Sequence, residues 1–135
     1  MVTDSLIRKK FVADTLREGV SEIYARQQRS ISARLEKRSG RLEEWSARRL
    51  MELTASDSRV TVSIGTPVYL RFLDMMYGRR KGRYSRFMRR NYPLYNRVVW
   101  GVIYRQTIPQ LRYGFTEEVR EGMRTDLNQL FSKYE

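Results

Sequence analysis

The sequence predicts an α+β fold: a long N-terminal helix and a C-terminal helix packed on a small antiparallel sheet, with a long basic loop. Three observations predict it. From Ser5 to about Lys37 apolar residues recur mostly at three- and four-residue steps; Val60, Val62 and Ile64 alternate with Arg59, Thr61 and Ser63; and from Phe115 to Phe131 the helical period returns. The 135 residues suit a single domain, 1–135, with one core of ordinary size and a basic arm at about 78–92.

The first helix carries Ile7, Phe11, Val12, Leu16, Val20, Ile23, Tyr24, Ile31 and Leu35 on its stripe, and Asp4 stands where an N-cap is needed. Gln27, Gln28 and Arg29 interrupt that stripe, so the second half is expected to pack differently or to find its partner on another chain. Gly40 ends the helix, because glycine takes the left-handed C-cap conformation at little steric cost. Residues 41–56, with Leu42, Trp45, Leu50 and Leu53 among charges, read as a second helix, and Ser56-Asp57-Ser58 as a polar break. Arg59 to Gly65 is the strand, its β-branched residues on one face. Beyond Pro67, alternation of Val68, Leu70 and Phe72 suggests another strand, but Leu73, Met75 and Met76 blur it and leave a short helix open. Residues 78–92 have no apolar period and read as a loop or hairpin arm. Leu94 to Ile108 is apolar enough for a buried helix or strand, and Pro109 should bend or end a helix there. Thr116 caps the last helix, with Glu117 and Glu118 at its positive end and Phe115, Val119, Met123, Leu127, Leu130 and Phe131 as its stripe.

Composition excludes several chemistries. With no cysteine and no histidine, disulfides, thiolate or imidazole metal sites and Ser-His-Asp or Cys-His nucleophiles are ruled out. The acids are spaced for helix-surface ion pairs: Glu43 and Glu44 precede Arg48 and Arg49, and Glu117 and Glu121 flank Arg120 and Arg124. Asp74 is expected to pair with Arg71 or an arginine of the arm. GRRKGR matches neither phosphate-cradling glycine pattern. The expectation is a protein that is not an enzyme, with no catalytic residue, metal or cofactor. VVWGVIY, 98–104, falls far short of the roughly 20 residues that span a bilayer. The start MVTDSLIRKKF lacks the apolar region of a signal peptide, so a product made in the cytoplasm without a membrane partner is expected.

The net charge of +12 is concentrated. Residues 58–113 hold twelve Lys/Arg against one acid, Asp74. Within them GRRKGRYSRFMRR, 78–90, interleaves Arg79, Arg80, Lys81, Arg83, Arg86, Arg89 and Arg90 with Tyr84 and Phe87. Arginine forks hold phosphates and aromatic faces stack on bases, so these nine residues suit nucleic acid. The same residue types suit an acidic protein neighbour, and a solvated loop is the third reading.

The order of segments resembles the small head-tail joining proteins of tailed bacteriophages, also called neck or tail-completion proteins. In that family a TGxLxxS stretch precedes a strand and an aromatic pYaxflE segment. Here Ser39-Gly40-Arg41-Leu42 stands at the first, and Val68-Tyr69-Leu70-Arg71-Phe72-Leu73-Asp74 at the second. The match spans about residues 5–131; it departs in Ser39 for threonine and in Asp74-Met75-Met76 for an acid followed by Gly-Thr. The resemblance implies a non-enzymatic virion subunit at the head-tail junction, assembled in the host cytoplasm. Copies would close a ring of roughly six or twelve between portal or adaptor and tail proteins. DNA would pass through without sequence-specific contact, and the basic arm would dock on neighbouring subunits, since gripping phosphates in the channel would hinder ejection. The alternative is a small basic nucleic-acid-binding protein gripping phosphates through the same arm.

Overall fold

The computed structural model describes residues 2–34, 44–45, 48–56, 58–67, 70–72, 75, 82–83, 86–87, 90 and 94–134. Helix α1, Asp4–Arg34, is followed by strands β1, Met51–Ala55, and β2, Val60–Ile64. A continuous helical stretch then runs through α2, Asn96–Val102, a π-helical segment, Ile103–Thr107, and α3, Ile108–Tyr113. Helix α4, Glu117–Lys133, completes the order. The α+β class and the long terminal helices are as the periodicity predicts.

Helix α1 is the spine, about 46 Å long at 1.5 Å per residue, and its successive turns bury different partners. Near its start Phe11 meets Phe115 with ring centroids 4.9 Å apart. In the middle Ile23 clusters with Val98 and Val102, and towards its end Ile31 packs with Leu70, Leu94 and the half-buried Trp45. The interruption at Gln27 therefore falls inside this chain's own core. Gln27 is buried; its Nε2 donates to the Leu94 carbonyl at 2.9 Å, which offsets part of the cost of placing an amide there, while its Oε1 meets no partner among the described residues.

The cap of α1 differs from expectation. Thr3 Oγ1 accepts from the Leu6 amide (3.2 Å), so threonine serves the free N–H at the third helical position. Asp4, already in the first turn, turns instead to α4, where Arg120 Nη2 and Arg124 Nη2 donate to its two oxygens at 2.5 and 3.1 Å. The expected pairs within α4, Arg120 with Glu117 and Arg124 with Glu121, are present at 3.2 and 3.7 Å. The hydrogen bond from Arg120, followed by the charges of Arg120 and Arg124, holds the Asp4 carboxyl below its usual pKa. A depressed carboxylate stabilises the fold above its unfolded pKa and ceases to do so as pH falls through the folded value. Asp4→Asn should therefore lower the urea midpoint slightly at pH 7 and not at about pH 2, where both forms are neutral. Half-molar salt should shrink the difference, since the pair is solvent-exposed.

Strands β1 and β2 form an antiparallel hairpin in which Met51 faces Ile64, Leu53 faces Val62 and Ala55 faces Val60. The reading of 41–56 as one helix is corrected here. Glu44, Trp45 and Arg48 are helical, but Arg49 takes a left-handed φ of 48° and 51–55 is strand. The physical reason lies downstream: β2 leaves its backbone donors and acceptors unmet until the neighbouring segment pairs with them. Ser56 closes the turn, its amide and hydroxyl both donating to the Arg59 carbonyl at 2.8 and 3.3 Å. At the open end two side chains tie the hairpin down. Tyr24 OH donates to the Leu50 carbonyl (2.5 Å), and Trp45 Nε1 donates to the Gly65 carbonyl (2.9 Å). The two rings meet edge-on at 5.4 Å.

The suggested strand beyond Pro67 is helical wherever it is described, at Leu70, Arg71, Phe72 and Met75. The Pro67 carbonyl accepts from the Leu70 amide, opening that turn, and Leu70 is drawn into the core as a single buried knob. The 94–108 segment, left open between helix and strand, is helix, because Val98 and Val102, four apart, both reach Ile23. Pro109 does not end it. An α-helical proline ring would strike the carbonyl of Arg105, four residues earlier; the preceding turn is π-helical instead, with the Ile108 amide bonded to the Ile103 carbonyl. At this widened turn α1 comes so close that a Cβ on Gly19 would overlap the buried Thr107 Oγ1. Helix α4 matches its expected cap, Thr116 Oγ1 accepting from the Val119 amide at 3.3 Å.

Candidate functional site

Of the nine residues singled out in the basic arm, Arg83, Arg86, Phe87 and Arg90 are described; Arg79, Arg80, Lys81, Tyr84 and Arg89 lie outside the described residues, as does Asp74 with its expected ion pair. At those four positions the backbone is helical, which corrects the loop reading there. Arginine is a good helix former, and Gly82, at φ +144°, supplies the break before it. The Arg86 amide donates to the Gly82 carbonyl (3.1 Å). Helical spacing puts Arg83, Arg86, Phe87 and Arg90 on one side, and all four are exposed.

Five acids of α1 and α4 are engaged elsewhere. Asp14 pairs with Lys10 and Arg17, Glu22 with Arg26, and Asp4, Glu117 and Glu121 with the arginines of α4. Arg83, Arg86 and Arg90 form no ion pair among the described residues. Arg71 instead lies over the Tyr95 ring, 5.7 Å from its centroid.

Three apolar features were not singled out from the sequence. A groove of about 760 Å³ lies between α1, β2 and the π-helical segment, walled by residues such as Val20, Ile23, Val62, Ile64 and Ile103, with Arg59 and Arg71 also lining it. Trp100 and Tyr104 stack at 5.8 Å on the outer side of α2 and the π-helical segment, and both are more than half exposed, between the exposed Arg97 and Arg105. The last two turns of α4 expose Leu130 and Phe131, with Tyr134 just beyond. Two of the three had a sequence signal of a kind: 94–108 holds more large apolar residues than one helix face can bury, so a helix there must turn some aromatics outward, and the α4 stripe runs on for longer than one short contact can cover.

Among the described residues no group of three acids is placed to hold a metal ion, and no helix is long and apolar enough to cross a membrane. Comparison with protein-family models, with curated proteins and with solved structures finds no match to this chain.

Proposed function

We propose that this chain is a non-catalytic structural subunit that binds other protein surfaces through its cationic face and assembles with further copies. In this reading it is a ring component of the kind that joins a phage head to its tail, with portal or adaptor and tail proteins as neighbours. The observation that carries it is the partition of charge. Asp4, Asp14, Glu22, Glu117 and Glu121 are held by arginines and lysines of α1 and α4, while Arg83, Arg86 and Arg90 face outward beside Phe87. A cationic face that finds no acid on its own helices is available to an acidic neighbour, and arginine interleaved with aromatic residues is the composition of protein interfaces.

The test is assembly. Native mass measurement or class-averaged images of the purified chain, alone and mixed with head and tail particles, should show closed rings or occupancy of the junction. Changing Arg79, Arg80, Lys81 and Arg83 together to alanine should leave the circular dichroism spectrum and melting temperature nearly unchanged and abolish joining of heads to tails. A mutant that joins them normally sinks the proposal.

One observation favours the nucleic-acid alternative: the exposed Trp100–Tyr104 stack flanked by arginines offers faces for bases beside donors for phosphates. On that reading the chain binds DNA tightly as a monomer. Affinity falls steeply with salt, and the four-alanine mutant flattens the log–log slope by about 3–4.

A further inference from the structure

The geometry points to a knob-into-groove contact between copies of this chain, the C-terminal turns of α4 from one copy seating in the groove between α1, β2 and the π-helical segment of the next. It rests on the reading of the chain as a self-assembling subunit and names the contact that would propagate the assembly.

Helix α4 runs antiparallel to α1: Phe115 meets Phe11, while Arg120 and Arg124 meet Asp4. Asp4 is the first residue of α1, so α4 runs on beyond Arg124 in the direction away from the body of the spine. The nine further residues to Lys133 extend about 13 Å. Leu127 is buried at the base of this overhang, but Leu130 is 48 % exposed and Phe131 39 %. A helix end with its apolar stripe in water is unfinished packing.

The groove is its counterpart. Val20, Ile23, Val62 and Ile64 give it apolar walls, and the charged residues lining it, Arg59 and Arg71, are both cationic. The knob end has the opposite bias, with Asp126 and Glu135 against Lys133 in residues 126–135. The α4 end does not reach the groove of its own copy. The α1 wall, which includes Val20 and Ile23, lies roughly 24–28 Å from Asp4 in the direction opposite to the overhang. A second copy brings both the matching shape and the matching charge. Each copy offers one knob and one groove, so the contact repeated head-to-tail by rotation closes a ring or winds a filament, and used reciprocally it closes a two-fold dimer.

Two variants test it by sedimentation velocity. Phe131→Asp spoils the knob on an exposed helix end, and Val62→Asp spoils the groove; should the second fail to fold, Arg59→Glu with Arg71→Glu changes exposed groove cations without touching the apolar wall. Wild type should assemble, and each variant alone should associate at least about 30-fold more weakly, as expected for loss of a central apolar anchor. Mixed, the two should recover a one-to-one dimer, since the knob of one and the groove of the other are intact. Wild-type assembly that persists undiminished in Phe131→Asp overturns the contact and leaves the subunit reading standing. A wild type that stays monomeric at all concentrations and with head and tail particles present overturns both.

Discussion

Tyr24→Ala should destabilise the fold by about 3–5 kcal/mol, the cost of emptying a fully buried aromatic site. Tyr24 is wholly inaccessible, carries the edge-on contact with Trp45, and donates to the Leu50 carbonyl at the root of β1. The alanine variant loses all three, so the hairpin should loosen along with the core; urea unfolding followed by tryptophan fluorescence and by circular dichroism will measure it. Tyr24→Phe separates the terms. It keeps the ring and removes one hydrogen bond, for about 0.5–1.5 kcal/mol. Burial also raises the Tyr24 phenol above its ordinary pKa of 10.0. A raised pKa contributes stability fully present below the unfolded value and lost as pH rises through the folded one. Wild type should therefore lose stability above about pH 10 through this group, and Tyr24→Phe should lack that part of the loss. A Tyr24→Ala chain as stable as wild type would mean that the hairpin is held by something other than this side chain.

Gly19→Val is the second large effect, expected at about 2–3 kcal/mol from overpacking. At Gly19 the spine passes so near the π-helical turn that a Cβ would overlap Thr107 Oγ1. Thr107 is buried and β-branched, with little rotational freedom to give way. Valine's higher helix propensity recovers only a few tenths of a kcal/mol of the loss. Thr107→Ala in the same chain should recover about 1 kcal/mol or more of the loss, a coupling that a double-mutant cycle of thermal melts reads directly. Additive effects would place the two residues out of contact.

The same particulars show how far the sequence carries. Helices α1 and α4 and strand β2 were legible because each buries one face and so writes its period into the chain. Strand β1 was not: Met51, Glu52, Leu53 and Ala55 are good helix formers, and the strand arises from a hydrogen-bonded partner five to thirteen residues on, at Val60–Ile64. The apolar residues of 94–108 follow neither the helix nor the strand period cleanly, and it is the packing of Val98 and Val102 on Ile23 that shows the helical face. Asp4 was legible as an acid near a helix start, but its role depends on arginines more than a hundred residues away. The cationic face was legible as composition and the three apolar features were not, since exposure of an apolar side chain is a statement about neighbours it fails to meet.

Among the described residues, two side-chain hydrogen bonds tie the root of the hairpin to the rest of the fold, at the carbonyls of Leu50 and Gly65. Beneath its far tip, Ser56 to Val60, a gap of about 470 Å³ separates it from the opening turns of the spine. Over the roughly 17 Å of a five-residue strand, any rotation at that root displaces Val60, Val62 and Ile64 together, and with them one wall of the main groove.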